Sequence, residues 1–135
     1  MTASTRTATA DALLAGFDAD LYVTDPDIIT SYARDRTGAY VGIPLAVARP
    51  RSAQELSAIM IRCAELGVGV VPQGGLTGLV GAAVSDPDQP ELVVLLDRMN
   101  AIRLIDTVGF AMVVEAGCVL ETAKQAAEEQ DCLLP

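Results

Sequence analysis

Between Leu45 and Ala83 the sequence reads as a short apolar strand, a capped amphipathic helix, a second apolar strand and a run of glycines. That succession is consistent with a βαβ unit and its right-handed crossover. Leu45 to Ala48 supplies the first strand. Ser52 and Glu55 have the S-x-x-E spacing of a capping box. Leu56, Ile59, Met60 and Cys63 fall at i, i+3, i+4 and i+7, one face of a helix. Gly67 is placed to stop that helix in the left-handed conformation. Gly69 to Pro72 is the second strand, and it feeds the stretch VVPQGGLTGLVGAAV, Val70 to Val84.

The rest of the chain is punctuated just as clearly. Met1 to Thr9 reads as a frayed tail and Ala10 to Phe17 as a small helix, with no apolar middle suited to a secretion signal. A second helical segment, Asp27 to Arg34, opens at Asp25-Pro26, where proline costs no hydrogen bond. Arg34 to Pro44 reads as loop, broken by Gly38 and Gly42, with Arg34-Asp35 expected as a surface ion pair. Asp86 to Pro90 is a polar turn. Leu92 to Leu96 is continuously apolar, as a strand covered on both faces would be. Ile102 to Asp106 and Ala111 to Glu115 form a hairpin through Thr107 to Phe110, and Val119 to Gln130 is a last helix.

Composition narrows the function classes. Hydrophobic residues make up 51% of the 135, enough for a core, but only 4% are aromatic, so that core is aliphatic. The net charge of −9 disfavours nucleic acid and anionic membrane as partners. No apolar run approaches the ~20 residues of a membrane span; a cytoplasmic protein, at most peripheral to the inner membrane, is the expectation that reduced thiols suit. The absence of His removes His-based catalysis and His-ligated metal from these residues. Cys63, Cys118 and Cys132 are far apart and odd in number, which suits buried, reduced thiols.

Gly74, Gly75, Gly78 and Gly81 admit positive φ and a close backbone approach to a ligand. Successive N–H groups in such a turn form an anion-binding nest. A Walker A loop would need Gly-Lys-Ser/Thr at its end, and no Lys or Arg lies between Arg62 and Arg98. The dinucleotide fingerprint needs G-x-G-x-x-G opening a helix, whereas the spacing here is GG-xx-G-xx-G with Pro87 and Pro90 soon after. Spacing alone leaves a phosphate cradle and a ligand-free turn both open.

Four ordered blocks carry a resemblance that decides between them. They are Ala48-Arg49-Pro50-Arg51-Ser52, the loop Pro72 to Gly81, Leu96-Asp97-Arg98-Met99-Asn100, and Glu115-Ala116-Gly117-Cys118-Val119-Leu120. From Tyr32 to Pro135 the chain resembles the N-terminal part of the FAD-binding domain of vanillyl-alcohol-oxidase-type flavoproteins, in the D-lactate, D-2-hydroxyglutarate and glycolate dehydrogenase branch. The resemblance implies an α+β fold, a PCMH-type FAD-binding subdomain with a small mixed sheet and a short βαβ unit flanked by helices. Residues 1–40 would be a tail with short helices, and 41–135 the first subdomain. The apolar ending at Cys132 to Pro135 suggests the front part of a longer protein, whose second subdomain and substrate cap lie elsewhere.

By that resemblance the cofactor is FAD, and its pyrophosphate is bound by Pro72, Gln73, Gly74, Gly75, Leu76, Thr77, Gly78 and Leu79, with Gly81 and Ala82 closing the loop. Thr77 either adds a hydroxyl donor or bonds to its own turn. Relatives carry a polar residue, often Asn, or a flavin-linking His where this chain has Leu76, so a non-covalent FAD is implied. Met99 either touches flavin or fills core. Asp97-Arg98 reads as a turn, Glu115 as an edge charge, and Glu128 and Glu129 as a solvated helix face. The implied reaction is hydride transfer from a D-2-hydroxy acid to flavin, with electrons passed on to a quinone, cytochrome or electron-transfer flavoprotein. No catalytic or metal-binding residue is assigned, and any metal belongs to the part beyond residue 135. The alternative is a stand-alone, non-catalytic module. A fragment of this kind is expected to bind FAD weakly and to associate through an exposed apolar face.

Overall fold

A computed structural model describes residues 2–135, and its best-formed element is the helix that the capping residues announce. Helix α3 (Ala53–Leu66) starts where Ser52 Oγ accepts from Glu55 N at 3.2 Å and stops at Gly67, φ +63. The Glu55 carboxylate reaches back to Arg51 N at 2.7 Å, one residue before the capping box would place it. Ile59 and Cys63 are fully buried, and Leu56 and Leu66 pack beside them. Met60, expected on that face, is 45% exposed because the buried stripe runs through 56, 59, 63 and 66.

The main sheet has the order β1-β2-β4-β3. Strands β2 (Val47–Ala48), β3 (Gly69–Gln73) and β4 (Glu91–Leu95) are mutually parallel, and β1 (Tyr22–Val23) runs antiparallel at the β2 edge. The βαβ unit is therefore split: β4 lies between the two strands that α3 connects. This explains the composition of β4, since Leu92, Val93, Val94 and Leu95 are all buried, two on each face. Leu92 and Val94 meet Ile59, Cys63, Leu13 and Tyr22 under α1 and α3, while Val93 and Leu95 meet Val47, Val71, Ile29 and Tyr32 under α2 (Pro26–Tyr32).

The N-terminal reading needs correction. Helix α1 (Ala3–Leu14) occupies most of the expected tail and ends before Phe17. Thr2 Oγ1 caps it from Thr5 N, Leu13 anchors it at 0% exposure, and Gly16 at φ +84 ends it. Strands β5 (Ile102–Asp106) and β6 (Ala111–Val114) form a separate two-stranded sheet. Asp106 Oδ1 shapes the hairpin turn by accepting from Val108 N and Gly109 N. Phe110 and Val108 at its tip are 85% and 88% exposed. Helix α4 (Leu120–Glu128) follows and buries Ala123 and Ala127. Among the described residues no helix is long and apolar enough to cross a membrane. All three cysteines are free, Cys63 buried and the other two partly exposed.

Candidate functional site at the carboxyl ends of the parallel strands

Three parallel strands must end on one edge of their sheet, and in open α/β sheets ligands gather outside that edge. Here β2 is followed by Arg49–Ser52, β3 by the glycine loop and β4 by Leu96–Asn100, so three of the four sequence blocks meet there. Leu96 N donates to Gln73 O at 3.0 Å, joining the bases of two loops. Arg49 and Asp97 form an ion pair that joins the third. Bonding to Asp97 holds the Arg49 guanidinium above its ordinary pKa. Arg98 bridges to Asp20 O at 3.0 Å. Reading Asp97-Arg98 as a turn is right for the backbone but misses these two cross-chain ties.

The fourth block is zipped onto the third. Gly117 N donates to Met99 O at 2.8 Å and Glu115 N to Ala101 O at 2.9 Å. A Cβ on Gly117 would stand 1.8 Å from Leu96 O, so only glycine fits this approach. Glu115 accepts from Ala101 N at 2.9 Å and pairs with Arg103, and these contacts lower its pKa, the backbone bond most. Met99 is buried at 8% exposure beneath these loops.

The glycine loop itself is almost free of internal bonds. From Gly74 to Ala83 no backbone N–H donates to another group among the described residues; the next amide, Val84 N, reaches Gly81 O at 3.0 Å. Nothing comes within 4 Å of a Cβ placed on Gly74 or Gly78, and Gly75 meets only Thr77 Cγ2. Leu76 stands at φ +52 and Gly81 at φ +72, so the chain twice enters the left-handed region, while Gly74, Gly75 and Gly78 do not. No charged residue lies between Glu65 and Asp86 to compete for those donors. The result is an open loop of unpaired hydrogen-bond donors without a cation.

Of the residues expected at the site, Gly74, Gly75, Leu76, Thr77, Gly78 and Leu79 stand together on the exposed loop, with Leu79 60% exposed. Thr77 Oγ1 makes no turn bond among the described residues. Pro72 and Gln73 belong to β3, and Gln73 is buried at 1% exposure. Gly81 and Ala82 line a cleft of about 600 Å3 beside the loop, together with Tyr40 and Ser85. Arg34 and Asp35 do not pair. Asp35 is buried at 5% and accepts from Thr37 Oγ1 at 2.7 Å and Tyr40 N at 3.3 Å, so it shapes the 35–40 turn instead. These bonds outweigh desolvation and lower its pKa.

Comparisons with known proteins identify the family and the fold. Residues 44–135 match the family described as FAD binding domain. The chain is 38% identical over 112 residues to a D-2-hydroxyglutarate dehydrogenase of Xanthomonas citri pv. viticola, covering 83% of this chain and 23% of that protein. It is 34% identical over 113 residues to the mitochondrial D-2-hydroxyglutarate dehydrogenase of Danio rerio, covering 84% and 21%. It thus spans less than a quarter of the length of these curated relatives. The structure of p-cresol methylhydroxylase with substrate bound superposes with a TM-score of 0.75 at 18% identity, covering 97% of this chain and 26% of that one, which bears on fold alone. The chain belongs to the FAD binding domain family and has the fold of the vanillyl-alcohol-oxidase and p-cresol-methylhydroxylase type.

Proposed function

We propose that the loop from Gly74 to Ala82 holds the pyrophosphate of a non-covalently bound FAD, and that the whole protein is a D-2-hydroxy-acid dehydrogenase. The observation that carries the first part is the run of unpaired amides from Gly74 to Ala83. Each N–H bond to a charged phosphate oxygen contributes about 1.5–3 kcal/mol, so three or four of them suffice without a lysine. Leu76 has no nucleophilic atom, which supports non-covalent binding at this position. Thr77 Oγ1, free of internal bonds, is available as one more donor.

When bound, the flavin supplies the acceptor for hydride leaving the α-carbon of the hydroxy acid, which becomes the 2-oxo acid. The residues of this chain bind and orient. No imidazole is present, and no carboxylate lies in the loop to move a proton. Support for the substrate class comes from the names of the relatives, both D-2-hydroxyglutarate dehydrogenases.

The experiment is to express the full-length protein, load it with FAD, remove excess and record the spectrum. Retained flavin absorption near ~450 nm and turnover of D-2-hydroxyglutarate or D-lactate are expected. A folded protein that retains no flavin would refute the cofactor reading and favour a non-catalytic module. A flavoprotein inert toward D-2-hydroxy acids would refute the substrate reading alone.

A further inference from the structure

We infer that Gln73 is a positioning residue: its carboxamide fixes the shape of the glycine loop before any ligand arrives. This rests on the loop being the FAD site, but its physical content concerns the loop itself. Gln73 is the last residue of β3, 1% exposed, in an otherwise apolar layer with Val47, Val71, Val93 and Leu95. Its Nε2 donates to Ala83 O at 2.6 Å and to Tyr32 O at 2.8 Å. Both acceptors are carbonyls, so the nitrogen must face them.

The two bonds do different jobs. Ala83 is the far end of the loop that begins at Gly74, so one bond closes the loop across its mouth. Tyr32 is the last residue of α2, and its carbonyl is one of those a helix leaves without a partner. The second bond therefore ties the loop's base to a rigid helix. The segment after α2 then lies along the loop's far rim. A Cβ on Gly81 would meet the Tyr40 ring at 2.6 Å, and one on Gly42 would meet Ser85 O at 2.2 Å. The loop has almost no bonds of its own, so these outside contacts set its shape.

Packing alone would not favour a glutamine here. Its Oε1 is buried without a partner, a desolvation cost that methionine would avoid. What methionine cannot do is hold the two carbonyls.

The test compares wild type with Gln73→Met in the full-length protein, using limited proteolysis without ligand and titration with FAD, ADP and riboflavin. The protease is one that cuts at apolar residues, of which the loop offers Leu76, Leu79 and Val80. Faster cleavage confined to Gly74–Ala83 is expected, with FAD and ADP affinity falling about tenfold and riboflavin affinity, which involves no pyrophosphate, unchanged. Loop cleavage and ADP affinity equal to wild type would overturn the inference. A uniform rise in cleavage over the whole chain, with riboflavin weakened as much as ADP, would also overturn it, because the side chain would then serve only general stability. Wild type that ignores FAD and ADP would overturn the cofactor reading, while the cleavage comparison still decides the role of Gln73. Should Gln73→Met fail to fold, Tyr40→Ala removes a half-exposed ring from the same brace. It should speed cleavage within the loop, and no change there would count against the brace.

Discussion

Replacing Leu76 with asparagine should stabilise the folded chain even though it removes an apolar side chain. Leu76 holds φ +52, in the left-handed region that L-residues other than Gly, Asn and Asp rarely enter. The cost for an ordinary side chain is about 1–2 kcal/mol, and Asn recovers much of it through local hydrogen bonding. The leucine belongs to neither buried cluster, so little packing is lost in exchange. A net gain of about 1 kcal/mol follows, which for a domain of this size raises Tm by about 3–4 °C. Leu76→Gly removes the same strain but adds about 0.4–1 kcal/mol of unfolded-state entropy, so its gain should be smaller. Leu76→Ile, β-branched, should fall below wild type. Thermal unfolding of the four proteins checks the order Asn, Gly, Leu, Ile. Wild type equal to or above both Asn and Gly would refute the strain account, and would mean that the Leu76 side chain contributes packing that outweighs its backbone.

Two further substitutions probe the site's framework. Gly117→Ala places a Cβ 1.8 Å from a backbone oxygen that cannot step aside, so the 96–100 and 115–120 loops must part; a loss above about 3 kcal/mol is expected in denaturant unfolding. Glu115 has a pKa lowered first by the Ala101 amide and then by Arg103, so its contribution is present above the ordinary carboxylate range and is lost as the pH falls through its depressed value. Glu115→Gln should therefore lower Tm at pH 7 and converge with wild type at the acid end of a Tm–pH series; a difference that stays constant with pH would contradict the assignment.

Much of the architecture was readable because its signals are local. Ser52, Glu55 and Gly67 bound α3 through bonds that span at most four residues, and the strands at 69–73, 91–95 and 102–106 are apolar or alternating runs between turn residues. Helix α1 escapes a local reading because its threonines and alanines carry little amphipathic pattern. Leu13 burial and the reach of Arg6 to the carbonyls of Ile43 and Gln89 hold it, and neither is a local signal. Met60 shows the same limit in reverse, since periodicity names a face but not its width.

The glycine loop shows where the division falls. Its backbone freedom, its lack of any cation and the order of the four blocks are legible from residue type and spacing alone. That Leu76 takes a glycine's conformation, that Gln73 joins the loop's two ends to helix α2, and that Arg49 meets Asp97 are outcomes of packing. These are contacts between residues up to 48 positions apart, made when β4 inserts between β2 and β3 and brings the ends of all three strands to one edge. A linear pattern carries no such register, because it is set by which strand lies between which.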